Sequence, residues 1–459
     1  MIDIKALRAG PERFIRGAAA KGMKVDIPAL LELDRQLLDA RKEVQDIRTA
    51  QNVAGKEIAR LQGEAKKAAV EKMAAQKARS KELGDLIAEL EPRFDALLLS
   101  VPQPPDPDVP LGAGPQDNVE IRRWNPPWFD TARSFAENKG FAPKTHIELG
   151  AALGIIDLER GVKIAGTRSY VLRGAGMMLH QAVLRLALDF MVHEQGFCPV
   201  SVPVLVREEM MMGTGFFPFG RDQAYQIPET AHGGGHDLYL AGTGEVGLMG
   251  IHQGEILDGQ TLPRRYVTLS TCFRREAGAA GKDTHGLYRI HQFDKVEQVV
   301  LCKADEQESR AWHQKMMGFV QALLQRLEIP YRLLQCCTAD LGPKNVDMVD
   351  IESWMPSRGE AGADPDGSPV RGGGRPTGAY GETHSASRLY DYQCRRLDLR
   401  YRDAEKNVQV CHSLNNTVIA SPRILIPILE LYQNADGSVT VPAALRPHMG
   451  GMEKIEATR

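Results

Sequence analysis

Arg264-Arg-Tyr-Val-Thr-Leu-Ser-Thr-Cys-Phe-Arg-Arg-Glu276 is the stretch on which the fold turns. It is dense in β-formers and is followed by a glycine-rich loop, Ala277-Gly-Ala-Ala-Gly-Lys-Asp-Thr-His-Gly286. A second β-rich run spans Arg289 to Val300. Two long strands joined by one loop are most simply antiparallel neighbours. Side chains alternate along a strand, so Tyr266, Thr268, Ser270, Cys272 and Arg274 share one face of the first. Arg289, His291, Phe293, Lys295 and Glu297 share one face of the second. Together they offer Arg274 for phosphate, Phe293 as a stacking platform and Glu297 as an acceptor for an ammonium or hydroxyl. That set suits a nucleotide with an amino acid. Taken alone, it is a weak signal, since polar strand faces are usually just wet.

Downstream, Tyr380-Gly-Glu-Thr-His-Ser385 precedes Ala386–Arg396, which predicts a helix, and Leu397–Arg402, which predicts a strand. Glu382 and Ser385 are oxygen donors at close spacing, compatible with a hard cation such as Mg²⁺. The same pair also reads as helix capping. Farther on, His412–Ala420 meets Ser421-Pro-Arg423 and the apolar run Ile424–Leu431. Ser421 as N-cap and Pro422 at the first helical position predict a helix start. Arg423 then projects from a helix N-terminus, where the dipole disfavours a cation and an anionic partner would account for it. Pro427 fits such a helix poorly.

Upstream, Leu30, Leu33, Leu37, Ala40, Val44, Ile47, Gln51, Ala54, Ile58 and Leu61 alternate steps of three and four, the seam of a coiled coil. A second seam runs from Ala69 through Met73, Leu83, Ile87, Leu90 and Phe94 to Leu97. The pattern predicts an antiparallel helical hairpin turning near residues 62–68, tightest at its base, with Pro92 kinking the second arm or marking its weak base. Between residues 35 and 81 the basic residues outnumber the acidic ones by six. Such charges are common on a solvated coiled coil, and they also suit an arm that touches a phosphate backbone. Val101-Pro-Gln-Pro-Pro-Asp-Pro-Asp-Val-Pro110 holds five prolines in ten residues and reads as a semi-rigid linker. Pro356–Ala379 reads as a flexible surface insertion.

The whole chain, 459 residues with a formal net charge of −2, 43% hydrophobic and 25% charged, has ordinary globular composition and room for two or three domains. A disordered or collagen-like chain is excluded. No run of about 18 apolar residues predicts a membrane span, and the charged segment Met1–Gly22 is not a secretory signal. Seven cysteines without a Cys-x-x-Cys pair read as reduced core residues of a cytosolic protein, and zinc is not expected.

In this order, behind a helical arm, the segments resemble the seryl-tRNA synthetases, class II aminoacyl-tRNA synthetases of the bacterial type. Gly196-Phe-Cys-Pro-Val-Ser-Val-Pro203 is similar to class II motif 1, the usual dimer interface. Cys272–Glu276 with His291–Glu297 is similar to motif 2, and Leu414-Asn-Asn-Thr417 through Arg423 to motif 3. Leu238–Val246 resembles the serine-binding Thr-x-Glu segment. The resemblance covers essentially the whole chain.

It implies an α+β fold: an N-terminal antiparallel two-helix coiled-coil arm, plus a class II catalytic domain on an antiparallel sheet of six or seven strands flanked by helices. Residues 1–100 would form the tRNA-binding domain (hairpin about 28–98), 101–115 the linker, and 116–459 the catalytic domain, with an insertion at about 356–379. It implies ATP-dependent activation of L-serine to seryl-adenylate, then transfer to the 3′ end of tRNA(Ser), with tRNA(Sec) as a second acceptor to consider. A cytoplasmic homodimer with no membrane partner and Mg²⁺ bound with ATP are further implications.

By position, Arg274 and Arg423 would be catalytic, Arg274 on the α-phosphate and carboxylate, Arg423 on the γ-phosphate side. Thr243, Gly244, Glu245, Arg274, Glu297, Asn415 and Thr417 would bind serine. ATP would meet Arg274, Arg275, Glu276, Phe293, Glu382, Thr383, His384, Ser385 and Arg423, with Glu382 and Ser385 holding the metal. The loop 277–289 would meet the tRNA acceptor end, and Arg35, Arg41, Lys42, Arg48, Lys56 and Arg60 would touch the tRNA body. A non-catalytic tRNA-binding relative and a relative that loads a carrier protein are the competing readings. Arg274, Glu297 and Arg423 argue against the first, and the complete arm against the second. The family usually has Ala at position 244, a departure that could loosen the turn. Thr417-Val-Ile-Ala-Ser-Pro422 is likewise not the glycine-rich form of many relatives.

Overall fold

The computed structural model describes residues 1–58, 61–277, 286–359 and 378–457. The chain forms two compact units, Met1–Pro104 and Pro105–Arg459.

In the first unit, helices α1 (Ile27–Ile58) and α2 (Gly63–Ser100) pair as a hairpin. Its base is the tight end. Leu33, Leu37 and Leu90 are buried together, with Ile87, Phe94 and Leu97 packed against them. Toward the tip, a cavity of about 560 Å³ opens between Ala50, Val53 and Ala54 on one arm and Ala69, Met73 and Gln76 on the other. Small and polar seam residues leave that space unfilled. Two expectations change. Residues 63–68, expected within the turn, are already helical, because α2 begins at Gly63, with φ +61°. Helix α2 also runs through Pro92. A helix-interior proline costs about 3 kcal/mol, whereas each buried leucine returns roughly 1.5–3 kcal/mol, so the packed base outweighs it.

The second unit is built on an eight-stranded sheet. Its strands are β1 (Val119–Trp124), β2 (Cys198–Pro199), β3 (Arg264–Phe273), β4 (Gln292–Cys302), β5 (Tyr331–Gln335), β6 (Asp347–Met355), β7 (Ala379–Tyr390) and β8 (His412–Ser421). The order is β1-β5-β6-β7-β8-β4-β3-β2, antiparallel except for the β2–β3 edge pair. The sheet thus exceeds the expected six or seven strands, because β1 and the two-residue β2 extend its edges. Helices α3 (Ala175–Asp189) and α4 (Glu306–Arg326) cover one face, where Val183, Met316 and Val320 meet Val296, Val300, Leu414 and Val418. The segment Ala175–Glu194 has the length and mean hydropathy, 1.2, of a membrane span. Its apolar residues Leu179, Val183 and Phe190 are buried in this core, which accounts for that composition.

Two local expectations are overturned by tertiary pairing. Ala386–Arg396 is not one helix: β7 runs to Tyr390, and only Tyr392–Arg396 is helical. As a central strand, β7 pairs on both sides, and those ladders override local propensity. Ser421 is not a helix cap: it closes β8 opposite Asp294, and its hydroxyl meets His180 Nδ1 at 2.8 Å. The helix begins later, at Leu425–Leu431. Pro427 therefore falls in its first turn, where backbone N–H groups lack intrahelical acceptors anyway. The boundary between the two units, Pro104/Pro105, falls within the proline-rich segment, and the later part of that segment is hydrogen-bonded to the second unit. Asp106 donates its N–H to Val346 O at 2.9 Å, its carboxylate pairs with Arg388, and Thr338 N–H donates to Pro110 O at 2.9 Å.

All seven cysteines are free thiols, buried except Cys198. Of the insertion 356–379, residues 360–377 lie outside the described residues, as do 278–285 of the loop after β3.

Candidate active site

The face of the sheet opposite α3 and α4 carries the polar residues. Thr268, Ser270 and Cys272 on β3 lie directly across from Glu297, Lys295 and Phe293 on β4. Glu297 faces Thr417 on β8, and Ser387 on β7 faces Asn415. Cross-strand partners project to the same side, so the two-residue alternation read from β3 and β4 places these groups on one surface. Just beyond β3, Arg274 N–H donates to His291 O at 2.9 Å, which keeps the chain paired to that point.

Two β-bulges refine the face. One lies between β4 and β8, beside Val296/Glu297. The other lies where Ile351 faces His384 but Glu352 faces Glu382, leaving Thr383 as the extra residue in β7. On a regular strand, residues three apart point to opposite faces. The bulge puts Glu382 and Ser385 on the same face and turns His384 into the core. His384 has no exposed surface, and burial, with Arg423 nearby, holds its imidazole down at about 3. It is therefore not brought to the site with the other expected ATP ligands.

A cleft opens over this face. Arg274, Glu276, Phe293, Thr383, Glu382, Thr417 and Arg423, all expected from sequence, line it. So do Tyr288, from the loop expected to meet the tRNA acceptor end, and Lys295, which was placed on this face without a role. Arg274 is exposed, lies with its guanidinium 5.2 Å from the Phe293 ring centre and donates from Nε to Gly242 O at 3.3 Å. Glu276, at φ +52°, receives Arg289 at 3.0 Å. A left-handed conformation in a residue other than glycine is uncommon and often found at functional positions. Arg423 does not start a helix. It sits in the β8-to-helix turn and donates to Tyr288 O at 3.0 Å and Glu382 O at 3.1 Å, and its guanidinium lies 4.4 Å from the Tyr288 ring centre. Arg275 is exposed beside the cleft, and its backbone N–H donates to Gln223 O at 3.0 Å.

Beside the cleft lies a buried polar pocket. Glu297, 2% exposed, pairs with Lys295 and accepts from Thr417 Oγ1 at 3.4 Å. Burial pushes the Glu297 carboxyl above its ordinary range, and the Lys295 ammonium opposes that push. Lys295 also donates to Thr243 Oγ1 at 2.9 Å. Glu245, 3% exposed, accepts from Lys344 at 2.7 and 2.8 Å, from Gln393 at 2.6 Å and from Asn415 at 2.6 Å. Two buried carboxylates thus each meet a resident lysine. The period-two reading already placed Lys295 on this face. Nothing local marks Lys344, which comes from a loop 99 residues beyond Glu245.

The β6–β7 region also fits a hard cation. Glu382 offers a half-exposed carboxylate, and Ser385 lies on the same face opposite Asp350. Asp350 Oδ1 is buried without a hydrogen-bond partner among the described residues. Burial, reinforced by the negative charge of Glu382, drives the Asp350 carboxyl well above its usual range. A carboxylate, a hydroxyl and surplus negative charge are the donor chemistry Mg²⁺ prefers.

On the arm, Arg35 pairs within its own helix with Glu32 at 2.7 Å and Asp39 at 3.2 Å. Arg41 bridges the hairpin to Glu91 at 2.6 Å. Lys42 and Arg48 are both exposed, and neither has an ion pair among the described residues. Lys56 lies in α1, and Arg60 lies outside the described residues.

A family model for the seryl-tRNA synthetase N-terminal domain matches residues 1–105, and one for the class II tRNA synthetase core domain (G, H, P, S and T) matches residues 229–432. The serine–tRNA ligase of Deinococcus radiodurans is 40% identical over 456 residues, 99% of each chain. That of Herpetosiphon aurantiacus is 37% identical, covering 99% of this chain and 100% of the other. Among solved structures, the seryl-tRNA synthetase of Pyrococcus horikoshii complexed with ATP matches with a TM-score of 0.85 at 34% identity over 100% of both chains. The prolyl-tRNA synthetase of Giardia lamblia, 14% identical with a TM-score of 0.54, shares the fold alone.

Proposed function

The chain belongs to the seryl-tRNA synthetases, ATP-dependent serine–tRNA ligases, and from that premise we propose how its residues divide the reaction. Serine's carboxylate attacks the α-phosphate of ATP, forming a C–O–P bond as pyrophosphate leaves. A terminal ribose hydroxyl of tRNA(Ser) then attacks the seryl carbonyl, and AMP leaves. A carboxylate is already a nucleophile, so the first step needs placement and charge neutralisation rather than a strong base.

Arg274 grips the α-phosphate and the serine carboxylate, where its planar fork meets charge as it develops. Phe293 stacks on adenine, Glu276 receives its edge, Thr383 lines the floor, and Arg423 takes the γ-phosphate side. Glu297 and Thr243 read the serine ammonium and hydroxyl, with Glu245, Asn415 and Thr417 holding the pocket in place and Gly244 allowing its turn to lie close. Lys295 pairs with Glu297 and offsets its charge. Glu382 and Ser385 would hold Mg²⁺ with ATP, and the ion would supply neutralisation of the triphosphate when bound. Residues 116–459 carry this chemistry and the arm guides tRNA, with Lys42 and Arg48 as its readiest cations. Gly196–Pro203 serves a homodimer, and the enzyme acts in the cytoplasm.

The observation that carries the reading is the convergence of Arg274, Phe293, Thr417, Glu382 and Arg423 around one cleft, with Lys295 linking it to Glu297. ATP–pyrophosphate exchange with each standard amino acid tests it, followed by charging of tRNA(Ser) and tRNA(Sec) transcripts. Serine-selective exchange is expected, and exchange driven equally by another amino acid refutes the pocket.

A further inference from the structure

Gly244 has φ −63° and ψ −17°, a conformation open to any L-residue. Its lack of a side chain is therefore not explained by backbone freedom. Space explains it: a Cβ at this position would lie 2.4 Å from the Thr268 methyl carbon, 2.9 Å from Ser270 Oγ and 3.7 Å from Glu297 Cβ. The serine hydroxyl of Ser270 can rotate away. The Thr268 methyl cannot easily do so, because Thr268 is 1% exposed in the middle of β3, directly opposite Glu297. A β-branched side chain on a strand is also stiff at χ1. The Thr268 hydroxyl is buried without a hydrogen-bond partner among the described residues. An unpaired buried hydroxyl contributes no stability, so what Thr268 supplies here is shape.

We infer that Gly244 and Thr268 are a size-matched pair that sets the distance between the Thr243–Gly244–Glu245 turn and the sheet, and thereby the depth of the amino-acid pocket. The inference rests on the reading of Thr243, Glu245 and Glu297 as the serine pocket. The missing Cβ lets the turn settle onto β3, and the threonine methyl fills the space that an alanine at 244 would occupy. The turn then places Thr243 Oγ1 2.9 Å from Lys295, and Glu245 2.6 Å from both Gln393 and Asn415. Adding a methyl would lift the turn by about 1 Å to reach normal carbon–carbon contact. A hydrogen bond of such length does not survive that displacement. Gly244 and Thr268 are positioning residues, acting through the groups that touch serine.

The test is a double-mutant cycle of Gly244→Ala and Thr268→Ala in the full-length enzyme, read by serine and ATP KM, kcat and thermal melting. Gly244→Ala is expected to raise the serine KM on the order of 10- to 100-fold, with kcat less affected and the ATP KM within about twofold. Thr268→Ala alone leaves a void and a slack turn, with a serine KM up about two- to fivefold. The double variant should return to within about threefold of the parent serine KM, a coupling that independent sites do not show. If Gly244→Ala fails to fold, recovery of both fold and serine KM in the double variant carries the same test. Additive defects overturn the pairing, and so does a lowered melting temperature with an unchanged serine KM. A defect confined to the ATP KM would instead sink the pocket reading itself, and Glu297→Gln measured in parallel tells the two failures apart.

Discussion

Arg274→Ala separates catalysis from stability. In the fold the side chain contributes little: it is exposed, its one side-chain hydrogen bond among the described residues, to Gly242 O, is 3.3 Å long, and it lies 5.2 Å from the Phe293 ring centre. An exposed cation–π contact is worth about 0.5–1 kcal/mol, and a long exposed hydrogen bond adds little. The expected loss of stability is therefore about 1 kcal/mol, and the melting temperature should fall by only a few degrees. In the reaction the same group faces charge that appears as the carboxylate attacks. Removing one preorganised donor from developing charge costs about 2.7–4 kcal/mol, or 10²- to 10³-fold in rate. Serine-dependent ATP–pyrophosphate exchange, with melting curves recorded alongside, measures both quantities. Arg274→Lys keeps the charge but loses the planar fork, so it should fall between the two. Exchange within a few-fold of the parent rate in the alanine variant would refute the placement of Arg274 against the reacting phosphate.

Glu297→Gln should raise the serine KM far more than the ATP KM, because the carboxylate is 2% exposed within the pocket proposed for serine; an ATP-selective defect in exchange kinetics would contradict this. Replacing residues 44–79 with a short glycine linker keeps the Leu33–Leu37–Leu90 base, so exchange should persist while tRNA charging falls by orders of magnitude; equal loss of both would refute the division of labour. Burial lowers Lys21 from 10.5 to about 7. Between those values the unfolded chain binds the extra proton, so stability should rise from pH 7 toward 10 and be lowest below pH 7. Urea unfolding of the full chain at pH 7 and 9 measures the rise, which Lys21→Met should diminish; the same slope in both proteins would discount Lys21.

The helical hairpin and the β3–β4 face were legible because their signals are local. A heptad seam needs only step lengths of three and four, and strand alternation needs only a period of two. Leu33, Leu37 and Leu90 meet at the arm's base, and Arg274, Phe293, Lys295 and Glu297 come to one side, as those periods require. The Glu382–Ser385 region was misread because Ala386–Arg396 has helix-forming composition, while two neighbouring ladders hold most of it in β7. The bulge at Thr383 was equally invisible, since an extra residue exists only relative to a partner strand.

By itself, then, the sequence determined the periodic elements, the order of the chemical motifs and the identity of most groups around the cleft. Tertiary structure alone decided which groups neutralise which. Lys344 reaches Glu245, Asp106 reaches Arg388, and Thr268 comes against Gly244 across long stretches of chain. It also decided that Glu382 and Ser385 share a face while His384 does not. Burial and cross-strand register depend on distant residues, and those dependences leave no local period to read.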